Sequence, residues 1–246
     1  MLHSEKLKGK IKIIFQPAEE GVRGGSSIAP SPLLEDIDYL FALHIGTGVA
    51  KGTFVAGSDG FLATSKYDVT FNGVAAHSGA FPEQGKNALL ASAQSVLAIH
   101  GLPSHSSGTN RVNVGKLNAG LGRNIVPSIA TMQVEVRGET TAINEYYEQQ
   151  IIHIFQGAAQ MYDVKVSYEK VGHAISTPSD LKLAQLLAKT ANELGVPVIE
   201  YTNFKAGSED ATFLMKRVQE NGGLASYSIM GSQLAAGHHN EYFDID

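Results

Sequence analysis

A run of apolar β-formers, Ile11-Lys12-Ile13-Ile14-Phe15, breaks off in Gln16-Pro17-Ala18-Glu19-Glu20-Gly21. Ile11, Ile13, Ile14 and Phe15 predict a short buried strand. Pro17 has no N–H for a ladder, so that strand must stop just before the paired glutamates. Glu19 and Glu20 are then expected at the carboxyl end of a strand, where open α/β sheets bind ligands. Two adjacent carboxylates can divide labour there, one ligating a metal and the other moving a proton beside it. A solvated acid pair at a helix start, favoured by the helix dipole, explains the same dipeptide.

The rest of the composition narrows the setting. A chain of 246 residues, 43% hydrophobic, can bury one sizeable core or two smaller ones. A net charge of -5 gives no footing for nucleic acid as a partner. With no cysteine, disulfides and thiolate zinc sites within the chain are excluded, which fits a reducing compartment. No apolar run approaches a membrane span, and Met1 to Lys6 lack a signal peptide's apolar centre. A soluble cytoplasmic protein is expected, with no membrane partner.

Beyond the glutamates, Ile37 to Leu43 reads as a second buried strand that delivers His44 at its end. A histidine there serves either as a structural hydrogen-bonder or as a ligand; imidazole suits zinc or manganese when its other nitrogen is held. The pattern then changes. Tyr67, Val69 and Phe71 alternate on one strand face, and Leu89, Ala93, Val96 and Leu97 mark one face of a helix. Two further alternating stretches, a helix carrying Ile143, Tyr147, Ile151, Ile154 and Ala158, and a strand at Val164 to Tyr168 complete a strand-helix-strand-strand-helix-strand order. That order is a split βαβ, ferredoxin-like unit. The expected organisation is therefore residues 1–61 as the first part of an α/β domain, 62–171 as an inserted α+β unit, and 172–246 as the continuation of the first domain. Thr177 and Ser208 are candidate helix caps, and Glu209 and Asp210 suit the first turn of the helix that follows.

Phe15-Gln16-Pro17-Ala18-Glu19-Glu20-Gly21 followed by Leu43-His44-Ile45-Gly46 resembles the metal-dependent amidohydrolases of the aminoacylase, acetylornithine deacetylase and carboxypeptidase G family. Within it, the pattern is most similar to bacterial aminobenzoyl-glutamate and hippurate hydrolases and plant auxin-conjugate hydrolases. The resemblance implies part of a doubly wound metallopeptidase-like domain interrupted by a ferredoxin-like dimerisation lid. It implies two divalent metal ions, zinc or manganese, per complete site, and a homodimer through the lid with, in some members, a second related subunit. Glu19 matches the family's general base and Glu20 a metal ligand, a pair whose roles could be exchanged between neighbours. His44 and His239 match metal ligands, His239 preceding Phe243-Asp244-Ile245-Asp246 at the family's spacing; a surface-loop pair with His238 is the plainer reading.

Gly73 to Gly79 resembles the lid signature, in which the histidine, here His77, crosses the dimer interface to polarise the scissile carbonyl. Asn124 and Arg137 match residues that grip the substrate. An arginine fork suits a carboxylate, although Arg137 also reads as an ordinary half-exposed strand cation. Glu209 and Asp210 fall in a family segment that stands beside the metal ligands. The family's opening His-x-Asp and later Cys/His segments have no counterpart here, so the chain is expected to be the C-terminal portion of a larger protein and inactive alone. The expected reaction is hydrolysis of an N-acyl or N-aroyl amino acid. The alternative is a non-catalytic subunit kept for dimerisation or ligand binding through residues 62–171.

Overall fold

The computed structural model describes residues 8–46, 48–203, 207–236 and 240–245. In chain order the elements are α1 (Gly24–Ile28), β1 (Tyr39–Gly46), β2 (Phe54–Val55), β3 (Ser58–Asp59), β4 (Ala63–Asn72), α2 (Ala88–His100), β5 (Asn110–Ala119) and β6 (Ile129–Gly138). There follow α3 (Thr141–Met161), β7 (Lys165–Ala174), α4 (Leu181–Glu193), β8 (Val198–Ile199), β9 (Thr202–Asn203), α5 (Ala211–Glu220) and β10 (Leu224–Gly231). One mixed sheet runs β1-β10-β2-β8, with β1 parallel to β10; β3 and β9 form a short parallel pair. A separate antiparallel sheet runs β5-β6-β4-β7. No helix among the described residues is long and apolar enough to cross a membrane.

The antiparallel sheet is built by period-2 alternation. Tyr67, Val69 and Phe71 on β4 and Met132, Val134 and Val136 on β6 share one buried face. Ile143, Tyr147, Ile151 and Phe155 of α3 pack onto it, together with Ala88, Ala91 and Ile99 of α2. The face of α2 differs from expectation. Ala91, Ser92, Ser95 and Ile99 turn inward, while Leu97 is 71% exposed. Small residues let the helix approach the sheet closely. Burying the two serines costs little, because Ser92 Oγ donates to Leu89 O at 2.8 Å and Ser95 Oγ to Ala91 O at 2.9 Å.

The mixed sheet holds the second core, where α5 lays Met215 against Ala225, Tyr227 and Ile229 of β10. Two expectations fail here for one reason. Residues 11–15 form no strand, and Ile13 and Phe15 are 71% and 89% exposed. β1 does form, but as an edge strand whose Tyr39, Phe41 and Leu43 are exposed. A strand is defined by its neighbour, and among the described residues none pairs with the outer side of β1. The caps also differ. Asp180 precedes α4, and its carboxylate accepts from Ala225 N at 2.8 Å instead of capping. Asp210, not Ser208, precedes α5.

Candidate active site

Glu19 to Gly21 form a single 3-10 turn, flanked by Ala18 and Val22, both in the left-handed region at φ 57° and 49°. The turn leaves Glu19 half-buried and Glu20 exposed. The side chain of His44, within β1 and not at its end, comes to the same place. The two glutamates, His44, Arg137, Lys66, Ser208, Glu209 and Tyr227 line one cleft of about 630 Å³ between the two sheets.

His44 Nδ1 lies 2.5 Å from the carbonyl oxygen of Ile45. A carbonyl oxygen only accepts, so Nδ1 carries a proton; in the neutral ring this leaves Nε2 as the nitrogen that ligates metal. The imidazole also stacks on Tyr227, with centroids 6.3 Å apart and planes at 27°. Tyr227 carries no motif in the sequence that would mark it as part of a site. Its hydroxyl donates to Glu209 Oε2 at 2.7 Å, and burial together with the Glu209 carboxylate pushes its own pKa well up.

Glu209 and Asp210 are buried, and each is engaged by hydrogen-bond donors. Ala211 N donates to Glu209 Oε1 at 3.2 Å, Gly25 N donates to Asp210 Oδ2 at 2.9 Å, and Gln16 Nε2 donates to Asp210 Oδ1. Oxygens of Glu19, Glu209 and Asp210 lie within 4.8 Å of one another. So placed, Glu19 has its pKa raised to about 7, first by burial, then by Glu209, Asp210 and Glu20, with His44 opposing. The folded chain therefore holds this proton more tightly than the unfolded chain, whose value is near 4.5. That contribution to stability is complete below pH 4.5 and is lost as pH rises to about 7. In the metal-free protein, Glu19→Gln is expected to flatten this segment of the stability–pH curve and to leave the variant more stable than wild type above pH 7. Thermal denaturation across pH 4 to 8 checks it, and parallel curves would refute it.

Arg137, on β6, is gripped side-on by Glu135, with Nε 3.0 Å from Oε2 and Nη2 3.1 Å from Oε1. A carboxylate thus already sits on the guanidinium fork in the geometry that a substrate carboxylate would use. His77 and Asn124 lie elsewhere. They meet each other at the far end of the antiparallel sheet, where His77 bridges Ile125 and Ser78 N donates to Asn124 O at 3.0 Å. Thr64, which pairs with Arg137, and Asn72, which leads to the His77 loop, are separated along β4 by roughly 25 Å at the usual strand rise. His77 Nδ1 accepts from Gly79 N and Ala80 N at 3.2 and 3.1 Å, so its exposed ring presents Nε2–H outward as a donor. His239, with His238, lies outside the described residues.

The donors present suit a borderline divalent ion: an exposed carboxylate on Glu20, an imidazole on His44 whose Nδ1 is held by the Ile45 carbonyl, and no thiolate. Glu209 and Asp210, already taken by hydrogen bonds, stand behind that set.

The model of the family described as Peptidase family M20/M25/M40 matches residues 1–246. The chain is 52% identical over 242 residues to one subunit of the p-aminobenzoyl-glutamate hydrolase of Escherichia coli K12, covering 98% of this chain and 56% of that protein. It is 50% identical over 246 residues to indole-3-acetyl-aspartic acid hydrolase of Enterobacter agglomerans, covering 99% and 56%. The crystal structure of an aminobenzoyl-glutamate utilization protein from Klebsiella pneumoniae superposes with a TM-score of 0.84 at 50% identity, covering 89% of this chain and 56% of that one. The chain thus spans little more than half the length of these relatives.

Proposed function

The chain belongs to peptidase family M20/M25/M40, of mixed α/β fold and metal-dependent, and from that premise we propose that it carries the base, ligand and substrate-gripping half of an amidohydrolase acting on N-acyl or N-aroyl amino acids. The observation that carries this reading is the convergence of Glu19, Glu20, His44 and Arg137 on one cleft from separate elements. We assign Glu20 and His44, with His239, to hold divalent metal, zinc or manganese, as part of a two-ion site. Such ions, when bound, acidify water and polarise the amide carbonyl. Glu19 then takes a proton from the attacking water, whose oxygen bonds to the carbonyl carbon. The C–N bond breaks, and Glu19 passes the proton to the leaving amine. A side chain poised near neutral pH can do both. Burial, with Glu209 and Asp210 beside it, keeps it poised.

Residues 62–171 are proposed as the ferredoxin-like lid and dimerisation unit, inserted between the catalytic stretches 1–61 and 172–246. The sheet order β5-β6-β4-β7, with α2 and α3 on one face, supports it. His77 and Asn124 then act in the partner's cleft, His77 Nε2–H being the donor to the developing oxyanion. The E. coli relative bears the name of one subunit of its hydrolase, so a second related subunit is a further candidate partner. The exposed flank of β1, with Tyr39, Phe41 and Leu43, is where we expect the remaining length of the family fold to pack.

The test is a chimera in which the E. coli relative supplies the part of its length that this chain does not cover. It is assayed with manganese or zinc on p-aminobenzoyl-glutamate, an indole-acyl aspartate and N-acetyl amino acids. Release of a free amino acid supports the reading. A folded, metal-replete chimera inert on every substrate would favour the non-catalytic role instead. In the active chimera, Arg137→Lys is expected to raise KM by about 1.5–3 kcal/mol in free-energy terms, since an ammonium cannot hold a carboxylate at two points. An unchanged KM would remove Arg137 from the substrate site.

A further inference from the structure

We propose that Gly172 and His173, at the end of β7, are positioning residues for the glutamate turn: the antiparallel sheet docks its outer edge on residues 21–22 and so sets where Glu19 and Glu20 lie. This rests on the reading of those glutamates as functional groups, but the docking is argued from backbone geometry alone.

The turn does not hold itself. Ala18 and Val22, neither of them glycine, both occupy the left-handed region, and a β-branched residue is rarely found there. Such a conformation persists only where the surroundings over-determine it. Within the turn the bonds are Val22 N to Glu19 O at 2.6 Å and Arg23 N to Ala18 O at 3.3 Å. The rest comes from the other sheet. β7 is an edge strand, and His173 N donates outward to Val22 O at 3.0 Å. Beside it, a Cβ on Gly172 would lie 2.2 Å from Gly21 O and 3.2 Å from Val22 Cγ2, so only glycine permits this approach of two backbones.

The register explains how the edge comes to face the turn. Lys66 pairs with Gly172 but Tyr67 with Lys170, leaving Val171 as an extra residue. A bulge of this kind bends the strand and re-aims its end. Two side chains complete the dock. Lys66 Nζ donates to Glu20 O at 3.3 Å, and the His173 ring meets the edge of Phe213 with centroids 4.8 Å apart. Phe213 lies in the first turn of α5, directly after Glu209 and Asp210. The sheet that carries Arg137 is thereby tied to both acidic groups that face the cleft, and its movement would be passed to Glu19.

The experiment uses the 246-residue chain, isotopically labelled, with amide hydrogen exchange and the carboxyl carbon resonance of Glu19 read by NMR in Gly172→Ala and His173→Ala. In Gly172→Ala, exchange at Val22 and His173 should rise at least about tenfold and the Glu19 resonance should move, while Val69 and Val134 in the sheet interior keep their protection. His173→Ala retains the N–H and loses only the contact with Phe213, so a smaller rise at Val22 is expected; it decides the matter if Gly172→Ala does not fold. Unchanged exchange at Val22 and an unmoved Glu19 resonance would overturn the proposal, as would a rise shared equally by Val69 and Val134. If the dock is seen but Glu19→Gln in the chimera hydrolyses normally, the functional reading fails and the dock stands.

Discussion

Glu19→Gln in the chimera is expected to lower kcat by roughly 10²–10⁴, the usual contribution of a general base, with metal content unchanged. The substitution keeps the shape of the side chain and removes only its ability to take a proton. Metal content is expected to hold because the proposed ligands Glu20 and His44 are separate groups, and because Glu209 and Asp210 keep their own donors, Tyr227, Ala211, Gly25 and Gln16. Removing Glu19's charge also relieves crowding among three carboxylates within 4.8 Å of one another, so the variant should be no less stable than wild type above neutral pH. Loss of the metal along with activity would show that Glu19 is a ligand and that its role and that of Glu20 are exchanged. Normal turnover would remove it from the chemistry.

The second large effect concerns His77. Its substitution by alanine should reduce kcat by roughly 10²–10³, as for an oxyanion-hole donor. The sharper result comes from mixing. The His77 loop leaves β4 at Asn72, roughly 25 Å along the strand from Thr64, the partner of Arg137, so His77 cannot reach its own cleft without a rearrangement of β4, whose residues 64–72 are paired on both sides. If it serves a partner's cleft, a dimer of one Glu19→Gln chain and one His77→Ala chain contains one wholly native site and one doubly altered one. Random reassociation of the two inactive variants should then restore about a quarter of wild-type activity, because half the dimers are mixed and each has one working site of two. If His77 acts within its own chain, mixing restores nothing. Activity of the mixture after dilution and reassociation, alongside the oligomeric state, gives the answer.

What the sequence could determine alone was local. Pro17, lacking an N–H, keeps residues 11–15 from continuing as a ladder into the paired acids. Period-2 spacing places Tyr67, Val69 and Phe71 on one buried face, and the order of helices and strands in residues 62–171 follows from such periodicities. Resemblance to the family, not spacing alone, drew Glu19, Glu20, His44 and Arg137 into one hypothesis, and they line one cleft.

What the tertiary structure decided depends on partners distant in the chain. Residues 11–15 have strand composition but form no strand, since a ladder requires a neighbour that composition does not name. α2 turns its serines and alanines inward because close approach to the sheet outweighs the leucine pattern. Tyr227 belongs to no sequence motif, and its place in the site follows from lying under His44 with its hydroxyl on Glu209. The proton affinity of Glu19 is set by burial and by acids about 190 residues away, and the conformation of its turn by a glycine about 150 residues away. Electrostatics and backbone contact act through space, so a spacing read along the chain can nominate these residues but cannot say how strongly each will hold its proton or its place.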